Sequence, residues 1–140
     1  MKQIEGYVGY QIVQVCKAHR NRADAGLSTH GLHVGQEMIL FLLWAEEGLT
    51  NSYLAERLSV EPPTVSKMLQ RMECSGLVDR RTDPEDARVS RVYLTDQART
   101  LEVPVLRAWR DLEEATVRGF TDAEQALLRR LLIQVRDNLA

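Results

Sequence analysis

A chain of 140 residues that is 44% hydrophobic and 27% charged has enough apolar sequence to bury the core of one domain, which excludes a disordered polyelectrolyte. No apolar run approaches the roughly 18 residues needed to span a bilayer, and the start MKQIEGYVGY lacks the charged-then-apolar layout of a secretory signal, so a cytoplasmic protein is expected. The net charge of −2 argues against indiscriminate polyanion binding, which grows with the number of phosphates that Lys and Arg neutralise.

Ile4, Val8, Ile12, Val15, His19 and Ala23 recur at steps of three and four, which predicts a first amphipathic helix over Ile4–Ala23. Asp24 to His33, with two glycines, Ser, Thr and Asp, reads as a connection. VGQEMILFLLWAEE is apolar around most of its circumference and predicts a buried second helix. Gly48 can end it, and the Thr50 hydroxyl can cap a third helix over Asn51–Leu58. Ser59, Val60 and Glu61 make a turn. Pro62 and Pro63 suit the first turn of a fourth helix, where a missing N–H costs nothing, and that helix runs to about Cys74. On it Val65, Leu69 and Met72 share one face with Met68 at the edge, and Pro63, Lys67, Gln70, Arg71 and Cys74 share the other.

Leu77–Arg81 and Val89–Leu94 read as strands joined through a charged loop containing Asp83-Pro84. Thr95 can cap a long helix with an inward stripe of Ala98, Leu101, Val105, Ala108, Trp109, Leu112 and Thr116, which Pro104 should bend without ending it. After Gly119, Thr121 to Glu124 form a capping box for a last helix carrying Leu127, Leu128, Leu131, Leu132 and Val135. The fold expected is mainly α with a small β-hairpin: a winged helix-turn-helix lobe over 34–95, flanked by helices at 1–33 and 96–140. Such a small lobe cannot cover the long terminal helices, so they are expected to pair with a second copy in a homodimer.

Between Thr50 and Thr95 seven basic residues face seven acidic ones, so a nucleic-acid surface must depend on placement rather than on bulk charge. The fourth helix can enter a major groove about 12 Å wide. Lys67, Gln70 and Arg71 have the reach for bases or phosphates, and Pro63, Thr64 and Ser66 place the helix start, with its free N–H groups, beside the backbone. Arg88 at the hairpin tip suits a neighbouring minor groove, with Asp86 two residues away to hold its guanidinium extended by a bidentate pair; Arg81 and Arg91 flank it on the strands.

Leu54-Ala55-Glu56-Arg57-Leu58, Pro63-Thr64-Val65-Ser66-Lys67, Gly76-Leu77-Val78 and above all Asp86-x-Arg88 followed by Leu94-Thr95 carry a resemblance to the MarR family of bacterial transcription regulators, over nearly the whole chain. The resemblance implies a dimeric regulator of pseudo-palindromic double-stranded operator DNA, reading through the fourth helix and inserting the wing arginine. It also implies control by a ligand or an oxidant. Small aromatic or phenolic effectors in this family often bind between the dimer helices and the DNA-binding lobe, where Tyr7, Tyr10, His19, Met38 and Trp44 are candidates. Cys16 and Cys74 are candidate redox thiols, although Cys16 lies about two turns beyond the reactive cysteine of peroxide-sensing relatives and falls on a stripe expected to bury it.

Cys16-x-x-His19 and His30-x-x-His33 have metal-ligand spacing, but His19 belongs to an apolar stripe and no acidic cluster accompanies the other pair, so neither a metal nor a cofactor is expected. No Gly-rich phosphate loop, nucleophile elbow or Ser/His/Asp arrangement points to an enzyme. A winged domain that binds protein instead of DNA is the competing use of this fold.

Overall fold

The computed structural model describes residues 1–140. Ten elements follow in the order α1 (Val8–Ser28), α2 (Gln36–Ala45), β1 (Leu49–Thr50), α3 (Asn51–Leu58), α4 (Pro62–Cys74), β2 (Val78–Thr82), β3 (Ser90–Leu94), α5 (Asp96–Thr100), α6 (Glu102–Thr116) and α7 (Asp122–Leu139). The protein is mainly α with one small antiparallel sheet, and α3 and α4 lead directly into the β2–β3 hairpin. No helix is long and apolar enough to cross a membrane.

The core lies in the central lobe. Ile39, Leu40 and Leu43 of α2 pack with Leu54, Val65, Leu69, Met72, Val78 and Val92, all sealed from solvent. The buried face of α4 is the Val65, Leu69, Met72 face read from its periodicity. Its start carries both prolines in the first turn, and Thr50 caps α3 by accepting the Tyr53 N–H.

Three features depart from the sequence reading. The first helix begins later and ends later, at Val8–Ser28, because Ala23 and Leu27 are the positions it buries; the residues Asp24 to Ser28 are therefore helical and not connection. The long helix after Thr95 is divided at Leu101, which keeps a right-handed helical backbone between α5 and α6. Pro104 causes this from within the first turn of α6: its ring excludes the carbonyl of Thr100 and its nitrogen cannot donate to it. The third feature is β1, a two-residue strand that adds to the hairpin in the order β1-β3-β2, pairing Leu49 with Val92 and Thr50 with Arg91.

Gly48 makes β1 possible. Its φ of +79° lies in the left-handed region, and a Cβ there would approach the Tyr93 hydroxyl to 3.2 Å, so a side chain would meet backbone strain and a tight contact.

Thr95 works in two directions: its hydroxyl accepts the Ala98 N–H at 3.2 Å and donates to the Gly76 carbonyl at 2.6 Å, tying α5 to the end of α4. Trp44 pins α2 to the same place by donating from Nε1 to the Ala98 carbonyl at 3.1 Å. At the far end, Thr121 and Glu124 form the expected capping box of α7.

Buried Glu37 gives a test of the lobe's electrostatics. Its side chain accepts the Gly35 N–H at 2.7 Å, and burial pushes its carboxyl above the ordinary 4.5 despite that hydrogen bond. A raised folded-state value means that the charged form costs stability above it, and the cost fades as pH falls through it towards the unfolded value. Glu37→Gln, which keeps the acceptor, is expected to raise the melting temperature at pH 7 by a margin that shrinks as pH approaches 4.5. Paired thermal melts across that range check this, and equal melting temperatures at pH 7 would contradict it.

Candidate nucleic-acid interface

Pro63, Thr64, Lys67, Gln70 and Arg71 lie exposed on the outer side of α4, opposite the buried Val65, Leu69 and Met72. Lys67 and Arg71 make no ion pair, so both cations are available to an anionic partner. Ser66 is placed differently. Its hydroxyl donates to Asn51 Oδ1 of α3 at 3.3 Å, and its carbonyl accepts from Arg80 of β2 at 3.0 Å, so this residue joins α3, α4 and the wing. Arg80 also pairs with Glu73 at 3.2 Å, which fixes the wing's base against α4.

The wing tip is organised around two aspartates. Asp86 grips Arg88 through both carboxylate oxygens, Oδ1 to Nε at 3.1 Å and Oδ2 to Nη2 at 3.3 Å, and Oδ1 also accepts the Arg88 N–H at 3.0 Å. The Arg88 side chain nevertheless stays 90% exposed, an extended cation held by its root. Asp83 accepts the N–H groups of Glu85 and Asp86 through Oδ1 and the Arg91 guanidinium through Oδ2.

The bond from Arg91 holds the Asp83 carboxyl below its usual range, and the Arg88 side chain does the same for Asp86. Lowered carboxyl values mean that these pairs are formed above the ordinary aspartate range and are lost only as pH falls beneath it, so neither pair titrates near neutrality.

Of the other two arginines expected here, Arg81 stacks over the Tyr93 ring at 4.2 Å and remains exposed. Arg91 is engaged at two donors, Nε to Asp83 and Nη1 to the Gly48 carbonyl at 2.8 Å, with its side chain 41% exposed.

The five effector candidates do not share one cavity within a single chain. Tyr7 and Tyr10 line a shallow groove with Ile4 and Val13 near the N-terminus, and Met38 is 39% exposed on α2. His19 meets the edge of Trp109 at 6.3 Å, while Phe41 lies between Trp44 at 5.4 Å and Trp109 at 5.9 Å. This aromatic cluster joins the lobe to α6, and the Trp109 indole N–H is buried there without an acceptor. Phe41, Asp83 and Arg80 were not singled out from the sequence. The Asp-Pro dipeptide at 83–84 was the available sign for Asp83, as an aspartate whose side chain accepts backbone N–H groups in a turn.

Cys16 is exposed and not buried as its stripe suggested, because the first half of α1 has nothing packed over it in one chain; Cys74 is exposed at the end of α4. No third His, Cys, Asp or Glu converges on Cys16 and His19 or on His30 and His33.

A helix pair leading into a three-stranded sheet, with an exposed outer helix face and an arginine-tipped hairpin, defines a winged helix-turn-helix protein. The chain belongs to the MarR family: residues 32–90 match the family's model. It is 37% identical over 100 residues to the transcriptional regulator AdcR of Streptococcus pneumoniae, covering 71% of this chain and 68% of that protein. It is 38% identical over 76 residues to the HTH-type transcriptional regulator TtmR of Methylorubrum extorquens, a match covering 54% of this chain but only 39% of TtmR. Among solved structures, the PcaV regulator from Streptomyces coelicolor, in complex with its natural ligand, has the same fold with a TM-score of 0.89 and 23% identity over 98% of this chain and 96% of that one. A mutant MarR from E. coli complexed with operator DNA is similar with a TM-score of 0.84 and 26% identity over 91% of this chain and 92% of that one.

Proposed function

We propose that this protein is a cytoplasmic transcriptional repressor that binds pseudo-palindromic operator DNA as a homodimer and is released by a small aromatic or phenolic effector. The observation that carries the reading is the exposed Arg88 guanidinium, held in an extended pose by Asp86 at the wing tip beside the open face of α4. With α4 in a major groove through Lys67, Gln70 and Arg71, and Thr64 near its start on a phosphate, the wing reaches the adjoining minor groove, whose negative potential favours an inserted arginine. The operator complex of the E. coli MarR mutant supports this use of the fold.

The dimer is supported by what one chain leaves uncovered. Val8, Val13 and Val15 of α1 and Leu127, Leu131, Leu132 and Ile133 of α7 are all more than two-fifths exposed, and α7 buries no residue. Apolar surface on this scale marks an interface. We assign 1–33 and 96–140 to pairing with the second copy and 34–95 to DNA, with two half-sites about one helical turn apart. An effector seated by the Phe41, Trp44 and Trp109 cluster would meet an N–H donor that lacks an acceptor, and a changed lobe spacing would misalign both half-sites at once.

Footprinting on the DNA upstream of its own gene tests the reading. Protection of a two-fold-related site, weakening steeply as salt rises, is expected. Salt-insensitive or absent binding would favour a protein-binding adaptor.

A further inference from the structure

The strand register of the wing sets Arg81 of β2 directly opposite Arg91 of β3. Like charges facing each other across an antiparallel pair repel, and here each is held by a different partner. Arg81 lies over the Tyr93 ring at 4.2 Å. Arg91 has partners of its own, with Nη1 on the Gly48 carbonyl at 2.8 Å and Nε on Asp83 Oδ2. Gly48 is itself locked to β3, since its N–H donates to the Val92 carbonyl at 2.8 Å.

From Arg91 the bonding continues outward without a gap. Asp83, whose side chain is only 11% exposed, uses Oδ1 to hold the N–H groups of Glu85 at 2.7 Å and Asp86 at 3.1 Å. Asp86 then grips Arg88. One run of charge-assisted bonds therefore leads from the turn before β1, in the body of the lobe, to the tip of the wing. Nothing else in the loop anchors the Glu85 and Asp86 N–H groups: the only backbone bonds crossing it are Asp83 N–H to Val89 O and Val89 N–H to Asp86 O.

We infer that Arg91 and Asp83 are positioning residues that aim Arg88, and that they act on DNA affinity without touching DNA. Arg91 has two of its three nitrogens bonded within the lobe and a side chain 41% exposed, whereas the Arg88 side chain is 90% exposed. The effect on DNA rests on the proposed function; the effect on the wing does not.

The test uses the full-length protein and a duplex carrying its footprinted site. Affinity is measured by fluorescence anisotropy across a salt series for wild type, Arg91→Met, Asp83→Asn, Arg88→Ala and the pair Arg91→Met with Arg88→Ala. Asp83→Asn replaces the charged acceptor with a neutral one, which loosens the turn without abolishing it and keeps the test open if Arg91→Met fails to fold. Arg91→Met and Asp83→Asn are each expected to weaken binding about fivefold with the slope of log affinity on log salt unchanged, and the Arg91→Met loss should vanish once Arg88 is gone.

Amide hydrogen exchange of the free protein supplies the second readout. Exchange at Glu85, Asp86 and Arg88 is expected to accelerate in both variants while β2 and β3 stay protected. A salt slope reduced by about one in Arg91→Met, as for a direct phosphate contact, would overturn the inference. So would a loss that persists in the Arg88→Ala background, or unchanged exchange. If wild type binds no DNA, the function proposed above fails, and the exchange result alone still decides whether Arg91 and Asp83 hold the wing.

Discussion

Glutamates at both Leu131 and Leu132 are expected to turn the protein into a folded monomer that has lost nearly all operator affinity. The two leucines are 44% and 52% exposed in the isolated chain, and neither belongs to the core of the lobe, so charge there leaves Ile39, Leu40, Leu69 and their neighbours packed as before. What the charges destroy is association, because two added carboxylates would have to be desolvated against a partner's apolar helices. A dimer binds two linked half-sites, and losing the link costs roughly 10²- to 10⁴-fold in apparent affinity with no DNA contact removed. Sedimentation and anisotropy on the same preparation check both halves. A variant that stays dimeric, or a monomer that binds the full site as tightly as wild type, would refute the assignment of α7 to the interface.

Arg88→Ala should produce the next largest effect. An arginine set deep in a groove is expected to contribute roughly ten- to a hundredfold in affinity, and its removal should lower the salt slope by about one. Arg88→Lys restores the charge but cannot engage both oxygens of Asp86, so it should recover the slope better than the affinity. Melting temperatures should hardly change, since the side chain is 90% exposed. Affinity and slope both unaltered in Arg88→Ala would remove the wing from the binding surface.

Much of this was written locally in the chain. The double proline and the Val65, Leu69, Met72 spacing define α4 because both signals act within a few turns of one helix, and the Thr121–Glu124 box and the Asp86–Arg88 pair likewise join near neighbours. Features that depend on distant residues were not legible. Leu49–Thr50 is a strand only because β3 lies beside it, more than forty residues later. The role of Arg91 depends on the Gly48 carbonyl, 43 residues away, and without that partner it reads as one more exposed wing cation. The stripe of α1 was visible, but periodicity reports which face is apolar and not what covers it, so Cys16 was expected to be buried and is exposed. Effector candidates suffered the same limit, since Tyr7 and Trp44 share an aromatic character and no common cavity.

The bare apolar face of α7 also bears on how the protein survives at low abundance. If the chain pairs as proposed, its last helix gains its burial free energy only in company, and its folding equilibrium then includes its own concentration. Dilution of such a dimer would lower stability and operator occupancy together. A cell with few copies would hold fewer assembled regulators than a simple count of chains suggests, and occupancy would rise more steeply than linearly with synthesis. The uncovered leucines would thus make this regulator sensitive to its own dose.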